Sequence, residues 1–281
     1  MIKLIAFDLD GTLLTDQKTV QDYTKEQLEK AAAQGIYIVP VTGRPLSGIP
    51  DAVKNLKGLE YIITSNGASS INQKSGELFN LIHISRETCS HLLESIRKYN
   101  IIKEIFMDGL GYTTPAAHQK LLKMFEGTPL YQYFIDTRKP VASLEEYLKN
   151  YDFDEGAVEN ISLVTNTKEE CDEIIEMIGK NFPDIHIIRQ SHDFVEMTSN
   201  NADKGLALLS LAARLGIQPS EIMAFGDGPN DTGLLAAAGR SYAMANAKDF
   251  VKKTARFQTD DNNHDGIGKA VSLALKSTTS E

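Results

Sequence analysis

Residues 2–7 form a short, nearly continuous apolar run, the pattern of a parallel strand covered on both faces. A polar stretch follows. Apolar positions then recur at helical spacing through Tyr23, Leu28 and residues 31–33, closed by Gly35 as a C-terminal signal. Further strands are predicted over 36–41 and 61–64, with Pro45 between them as the opening residue of a helix. The last third repeats this rhythm. Leu208, Leu211, Ala212 and Leu215 share a helical face after Lys204, and the run stops at Gly216. Residues 222–225 read as a buried strand, 234–238 as a helix ended by Gly239, 242–244 as a strand and 250–255 as part of a helix. Strands and helices alternating in this way predict a parallel α/β sheet.

The middle of the chain has another texture. Segments there are longer and more polar, with helical patterns near 88–99, 116–125 and 169–182 and short strand candidates at 105–107 and 161–164. This predicts a second α/β domain, residues 83–192, inserted into a first made of 1–82 and 193–281. The Ser/Thr-rich end, 277–281, reads as a frayed tail.

A chain of 281 residues is long enough for two domains with real cores. Its formal net charge of -9 argues against partners that need a basic surface, namely nucleic acid and anionic membrane. No apolar run approaches the roughly 20 residues needed to span a bilayer. Two isolated cysteines, Cys89 and Cys171, and an N-terminus that reaches Asp8 without a secretory signal predict a reducing, cytoplasmic setting. An acidic chain can still take an anionic substrate where a metal ion reverses the local field.

Candidate chemistry gathers at strand ends. Asp8-Leu9-Asp10-Gly11-Thr12 follows the first strand directly. Parallel sheets bind ligands beyond the carboxyl ends of their strands, so two acids emerge at the expected place, and Gly11 lets the backbone turn closely around a bound group. Gly226-Asp227-Gly228-Pro229-Asn230-Asp231 follows another buried strand and offers two acids and an amide, oxygen chemistry that suits Mg²⁺. Thr42-Gly43-Arg44-Pro45 sets a hydroxyl and backbone N–H groups at an expected helix start, a ready phosphate site. Lys204 opens a further helix.

Taken singly, each segment has a plain reading: an Asp-Gly turn, a loop of turn formers, an N-cap with proline, a surface lysine. Taken together they supply acids, a hydroxyl and a cation, the inventory that phosphoryl transfer needs to position and neutralise phosphoryl oxygens. The six histidines show no HxH or HExxH spacing. Asp260, Asp261 and Asp265 read as a solvated acidic loop, and Tyr112, Tyr131, Tyr133 and Phe134 as core.

The four segments resemble the four motifs of the haloacid dehalogenase (HAD) superfamily, and the chain is most similar to its Cof-type phosphatases. The DxDGT motif is matched by Asp8 to Thr12, the second-motif Thr/Ser by Thr42, the lysine by Lys204 and GDxxND by Gly226 to Asp231. The similarity extends to Thr64-Ser65-Asn66-Gly67-Ala68, Ala243-Met244-Ala245-Asn246-Ala247 and Asp265-Gly266. It implies a Rossmann-like parallel-sheet core with a large inserted α/β cap (subclass IIB) that sets substrate specificity. It also implies an Mg²⁺-dependent hydrolase that removes phosphate from a small phosphorylated metabolite, a sugar or cofactor phosphate.

In that resemblance Asp8 is the nucleophile that forms an aspartyl-phosphate, and Asp10 the acid and base. Asp8, the Asp10 backbone carbonyl and Asp227 hold the metal, with Asp231 in support. Thr42, Gly43, Lys204 and Asn230 hold the phosphoryl oxygens. Asp203 departs from the small residue common before the lysine, and Thr232-Gly233-Leu234-Leu235 lacks the methionine common after the fourth motif. A phosphomutase would use the same motifs. A non-catalytic phospho-ligand-binding protein would be expected to lack one of the essential residues, and none is missing.

Overall fold

The computed structural model describes residues 1–152 and 158–278. The chain divides into two units: Met1–Gly43, Ile49–Asn80 and Asp203–Glu281 form the first, and Arg44–Gly48 with Leu81–Ala202 the second.

A sheet of five parallel strands carries the first unit. Its order is Phe257–Gln258, Arg240–Ala243, Ile222–Gly226, Leu4–Phe7, Tyr37–Pro40. The two central strands, Leu-Ile-Ala-Phe and Ile-Met-Ala-Phe-Gly, are buried throughout, which is why they read as unbroken apolar runs. They lie in register, Leu4 opposite Ile222 and Phe7 opposite Phe225. Their carboxyl ends therefore deliver Asp8 and Asp227 side by side. Helix Lys204–Arg214 packs Ala207, Leu208, Leu211 and Ala212 onto Leu4, Ala6, Ile222 and Ala224. Each such leucine contributes about 1.5–3 kcal/mol by leaving water. A three-stranded antiparallel sheet, Tyr61–Thr64, Ser69–Asn72 and Leu78–Phe79, completes this unit beside a bridge from Val41 to Ile63.

The second unit is built on a six-stranded sheet. Its order is Ile185–Arg189, Phe194–Ser199, Val158–Val164, Ile102–Met107, Leu110–Thr113, Arg138–Pro140, antiparallel except for the last pair. Ile105, Met107, Ile161, Leu163, Val195 and Met197 share one core with helices Arg86–Ser95 and Lys168–Asn181. Several of the alternate residues, Glu104, Asn160, Ser162 and Glu196, are polar, while Ile102 and Val164 join a smaller cluster with Ala117, Leu121 and Phe134. That alternation is the physical cause of the mixed texture seen in the sequence.

Three expectations change. Residues 193–202 were expected in the first unit. Strand Phe194–Ser199 instead joins the second sheet between Val158–Val164 and Ile185–Arg189, and the second unit runs to Ala202 and takes in Arg44–Gly48 as well. Pro45 opens no α-helix. A single 3-10 turn, Leu46–Gly48, follows it, so the Thr42-Gly43 segment does not lead directly into an α-helix. Among the aromatic residues read as core, Tyr112 and Phe134 are buried but Tyr131 is exposed. The expected tail, 277–281, keeps its first two residues in helix Gly266–Thr278 and otherwise lies outside the described residues.

Candidate active site

The residues given a role by the resemblance, Asp8, Asp10, Thr42, Gly43, Lys204, Asp227, Asn230 and Asp231, lie in the first unit, whereas Arg44 and Pro45 of the second motif belong to the second. Asp8 leaves strand Leu4–Phe7 with its N–H donating to the Phe225 carbonyl at 3.1 Å, which fixes it against the neighbouring strand. Lys204 is the first residue of its helix, and it is buried rather than solvated. Asp203 explains that placement. Its backbone is extended, and its carboxylate caps the helix by accepting from the N–H groups of Gly205 (2.8 Å) and Leu206 (3.0 Å). Such caps are worth about 1 kcal/mol.

The Lys204 ammonium donates to Asp8 Oδ1 at 2.6 Å and to Asp231 Oδ1 at 2.7 Å, with all three side chains nearly or fully inaccessible. Asp231 commits its other oxygen to the loop, accepting from the N–H groups of Asp227 (2.9 Å) and Gly228 (2.8 Å). Asp227 is held by the Thr12 hydroxyl, which donates to its Oδ1 at 2.7 Å. Gly11, at a φ of 80°, makes room for it, because a β-carbon there would overlap the Asp227 carboxylate. Ligand atoms from Asp8, Asp227 and Asp231 all lie within 4.8 Å of one another.

Three carboxylates thus stand near one ammonium, which pairs with two of them, and the electrostatics follow from that imbalance. Burial raises the Asp8 carboxyl well above the usual carboxylate range. Lys204 opposes the rise, while Asp231 and Asp227 add to it. Burial and then Asp231 push Asp227 up to about 6, against the Thr12 hydrogen bond. Burial alone would lower the Lys204 pKa, but Asp231 and Asp8 outweigh it and hold the ammonium charged. A group of three acids and one base carries two negative charges in excess when ionised. Its donors are carboxylate oxygens, the chemistry that suits a hard divalent cation. The residues therefore fit such an ion.

The remaining expected residues stand around this cluster. Thr42 is buried, and its N–H donates to the Ile63 carbonyl at 2.9 Å. Asn230 donates through Nδ2 to Asn66 Oδ1 at 2.9 Å. Asp10 is not one of the three clustered acids, although its charge adds to the rise at Asp227. Its half-exposed carboxylate accepts from Lys18 Nζ at 2.7 Å. Sequence reasoning assigned no role to Lys18, Asn66, Thr12 or Asn246, whose Nδ2 donates to the Gly11 carbonyl at 2.8 Å. Thr12, Asn66 and Asn246 did fall in segments singled out by resemblance. Asp265, read as solvated, accepts from the Thr24 N–H and hydroxyl at 3.1 and 2.8 Å and so anchors the start of helix Asp22–Ala33.

A strand-end acid bound to a buried lysine, on a parallel α/β core with a separate inserted sheet unit, defines a class. The family model for haloacid dehalogenase-like hydrolases matches residues 5–271, and the chain belongs to that family. It is an enzyme of the family's phosphatase kind.

Among its relatives is the 5-amino-6-(5-phospho-D-ribitylamino)uracil phosphatase YcsE of Bacillus subtilis (strain 168), 29% identical over 274 residues that cover 96% of this chain and 94% of that one. A solved haloacid dehalogenase-like hydrolase from B. subtilis superposes with a TM-score of 0.85 at 27% identity, covering 96% of this chain and 99% of that chain. The HAD subclass IIB sugar phosphatase BT4131 superposes with a TM-score of 0.81 at 27% identity, covering 96% and 98%. Among the described residues no helix is long and apolar enough to cross a membrane.

Proposed function

We propose that the chain hydrolyses a small phosphorylated metabolite, a sugar phosphate or a cofactor phosphate, through a phosphoryl group carried on Asp8. The observation that carries this reading is the burial of Lys204 between Asp8 and Asp231 with Asp227 alongside. The acid at the strand end is already oriented, and the ammonium beside it is in place to neutralise phosphoryl oxygens. The substrate class follows the named activities of relatives, one acting on a phosphoribityl compound and one a sugar phosphatase.

Asp8 attacks phosphorus with one carboxylate oxygen, and the ester oxygen leaves with the bonding pair. Asp10 gives that oxygen its proton. Water then attacks the phosphorus of the aspartyl-phosphate, Asp10 takes a proton from it, and phosphate departs with the Asp8 carboxylate restored. Asp10, half-exposed and not one of the three clustered acids, would serve both steps. The Thr42 hydroxyl, the Gly43 N–H, the Lys204 ammonium and the Asn230 amide hold the phosphoryl oxygens. Mg²⁺ would be held by the Asp8 carboxylate, the Asp10 backbone carbonyl and Asp227, where it supplies positive charge to the phosphoryl group.

The test is phosphate release from a panel of sugar, nucleotide and cofactor phosphates, with and without Mg²⁺, beside Asp8→Asn. Mg²⁺-dependent release that falls more than about 10³-fold in the variant supports the reading. Isomerised ester in place of free phosphate would point to a mutase instead.

A further inference from the structure

The segment Ser65-Asn66-Gly67 is conformationally unusual. Three successive residues take a left-handed backbone, with φ of 51°, 56° and 93°, and the first two are not glycine. Such a run persists only where the surroundings over-determine it, and it recurs at functional sites. Here the surroundings are the phosphoryl-handling segments themselves. The Asn66 N–H donates to the Thr42 carbonyl at 3.0 Å. The Asn66 side chain lies against Gly43, where a β-carbon would come within 3.0 Å of its Oδ1. Its Oδ1 accepts from Asn230 Nδ2, 164 residues away in sequence. Gly67 touches the backbone of Asp203 and Lys204 so closely that a β-carbon would overlap the Asp203 carbonyl oxygen. Ser65 and Asn66 are almost completely buried.

We propose that Asn66 is a positioning residue for phosphoryl recognition, acting through Asn230, while the Thr42 carbonyl and Gly43 hold Asn66 itself in place. This rests on the proposed reading of the site as a phosphatase centre. A carboxamide nitrogen has two N–H donors. One of those on Asn230 goes to Asn66, which fixes the amide plane and aims the second donor. Without the Asn66 carboxamide the Asn230 side chain is free to rotate. The left-handed backbone serves the same end, because it lets one side chain meet Asn230 while its own N–H reaches Thr42. Asn is among the few residues other than glycine that visit this conformation routinely.

The test is a double-mutant cycle between Asn66→Gly and Asn230→Ala. Glycine keeps the left-handed backbone and removes only the carboxamide. Rates are measured on p-nitrophenyl phosphate, with inorganic phosphate as a competitive inhibitor and thermal unfolding as a control on folding. Each single change is expected to lower kcat/KM about tenfold and to weaken inhibition by inorganic phosphate, with Tm little altered. The double variant should be no more than about twofold below Asn230→Ala, because Asn66 acts through that residue.

Multiplied losses near 100-fold, or wild-type kinetics in Asn66→Gly, would overturn the proposal. Should Asn66→Gly fail to fold, the cycle is run with Asn66→Asp, which keeps the acceptor oxygen and tolerates the backbone. There Asn230→Ala should still cost about tenfold, and its losing that effect contradicts the proposal. Wild-type phosphate release that Asp8→Asn abolishes leaves the phosphatase reading standing whichever way the cycle falls.

Discussion

Each unit of this chain buries an arginine or lysine against acid, and the two sites differ in balance. In the second unit Arg138 pairs with Glu104 at 2.8 Å, donates to the Thr137 hydroxyl at 2.7 Å and lies 4.8–5.0 Å from the ring centroids of Phe106, Tyr133 and Phe134. One cation meets one anion, and the neutral pair is wrapped in aromatic rings. Burial works against the charged guanidinium, yet Glu104 and Tyr133 more than offset it and raise its pKa. In the first unit Lys204 faces Asp8 and Asp231, with Asp227 added, and two of the three acids are pushed upward. A matched buried pair is satisfied as it stands. An unmatched one is costly in isolation and is set up for positive charge brought from outside, which a divalent cation would supply.

The largest expected effect is on activity. Asp8→Asn should lower phosphate release more than about 10³-fold while leaving Tm unchanged or higher, because it removes one of three mutually repelling acids. A large drop in Tm would show that the cluster is structural like its counterpart.

Next come the cations. Lys204→Met and Arg138→Met should each destabilise the chain by ~3–5 kcal/mol in denaturant titrations, since each leaves buried carboxylate unpaired. Only the matched pair should be rescued by an apolar double change, with Arg138→Met combined with Glu104→Leu returning to within ~1 kcal/mol of wild type. Equal rescue of Lys204→Met by Asp231→Leu, with activity intact, would erase the contrast.

Smaller again is the metal effect. Mg²⁺ at about 100 times its Kd should stabilise the chain by ~2.7 kcal/mol, an increment that Asp8→Asn should largely lose.

An effect of about the same size is on pH. A carboxyl whose folded pKa lies above its unfolded value contributes stability that is present at low pH and lost as pH rises through the folded pKa. Asp227, moved from 3.8 to about 6, should therefore make the metal-free protein less stable as pH rises over that interval, with Asp8 acting in the same direction. The apparent Mg²⁺ affinity should rise over the same interval by up to about tenfold per pH unit, read from Tm with and without the ion.

How much of this was legible in the sequence depended on how local the signal was. Strands Leu4–Phe7 and Ile222–Gly226 were visible because both their faces are buried, and the acids after them were visible as consequences. Strand Phe194–Ser199 was placed in the wrong unit because its alternating pattern says that one face is covered but not by which sheet. The burial of Lys204 had no local mark, since a lysine at a helix start is ordinarily solvated and only the Asp8 and Asp231 contacts reverse that. Asp203 looked like a departure from the family pattern, and its reason, capping the Lys204 helix, needed the helix start itself. Asn66 stayed without a role because its partner lies 164 residues away and its backbone sign is not written in its neighbours.

The central claim is that Asp8 carries the phosphoryl group. Its most direct measurement is rapid quenching of enzyme during turnover, followed by borohydride reduction, which converts an aspartyl-phosphate to homoserine, and peptide mass spectrometry. Homoserine is expected at position 8, in larger yield in Asp10→Asn, where the second step is slowed. Active enzyme with residue 8 unmodified at every time sampled, or with the label on another residue, would contradict it.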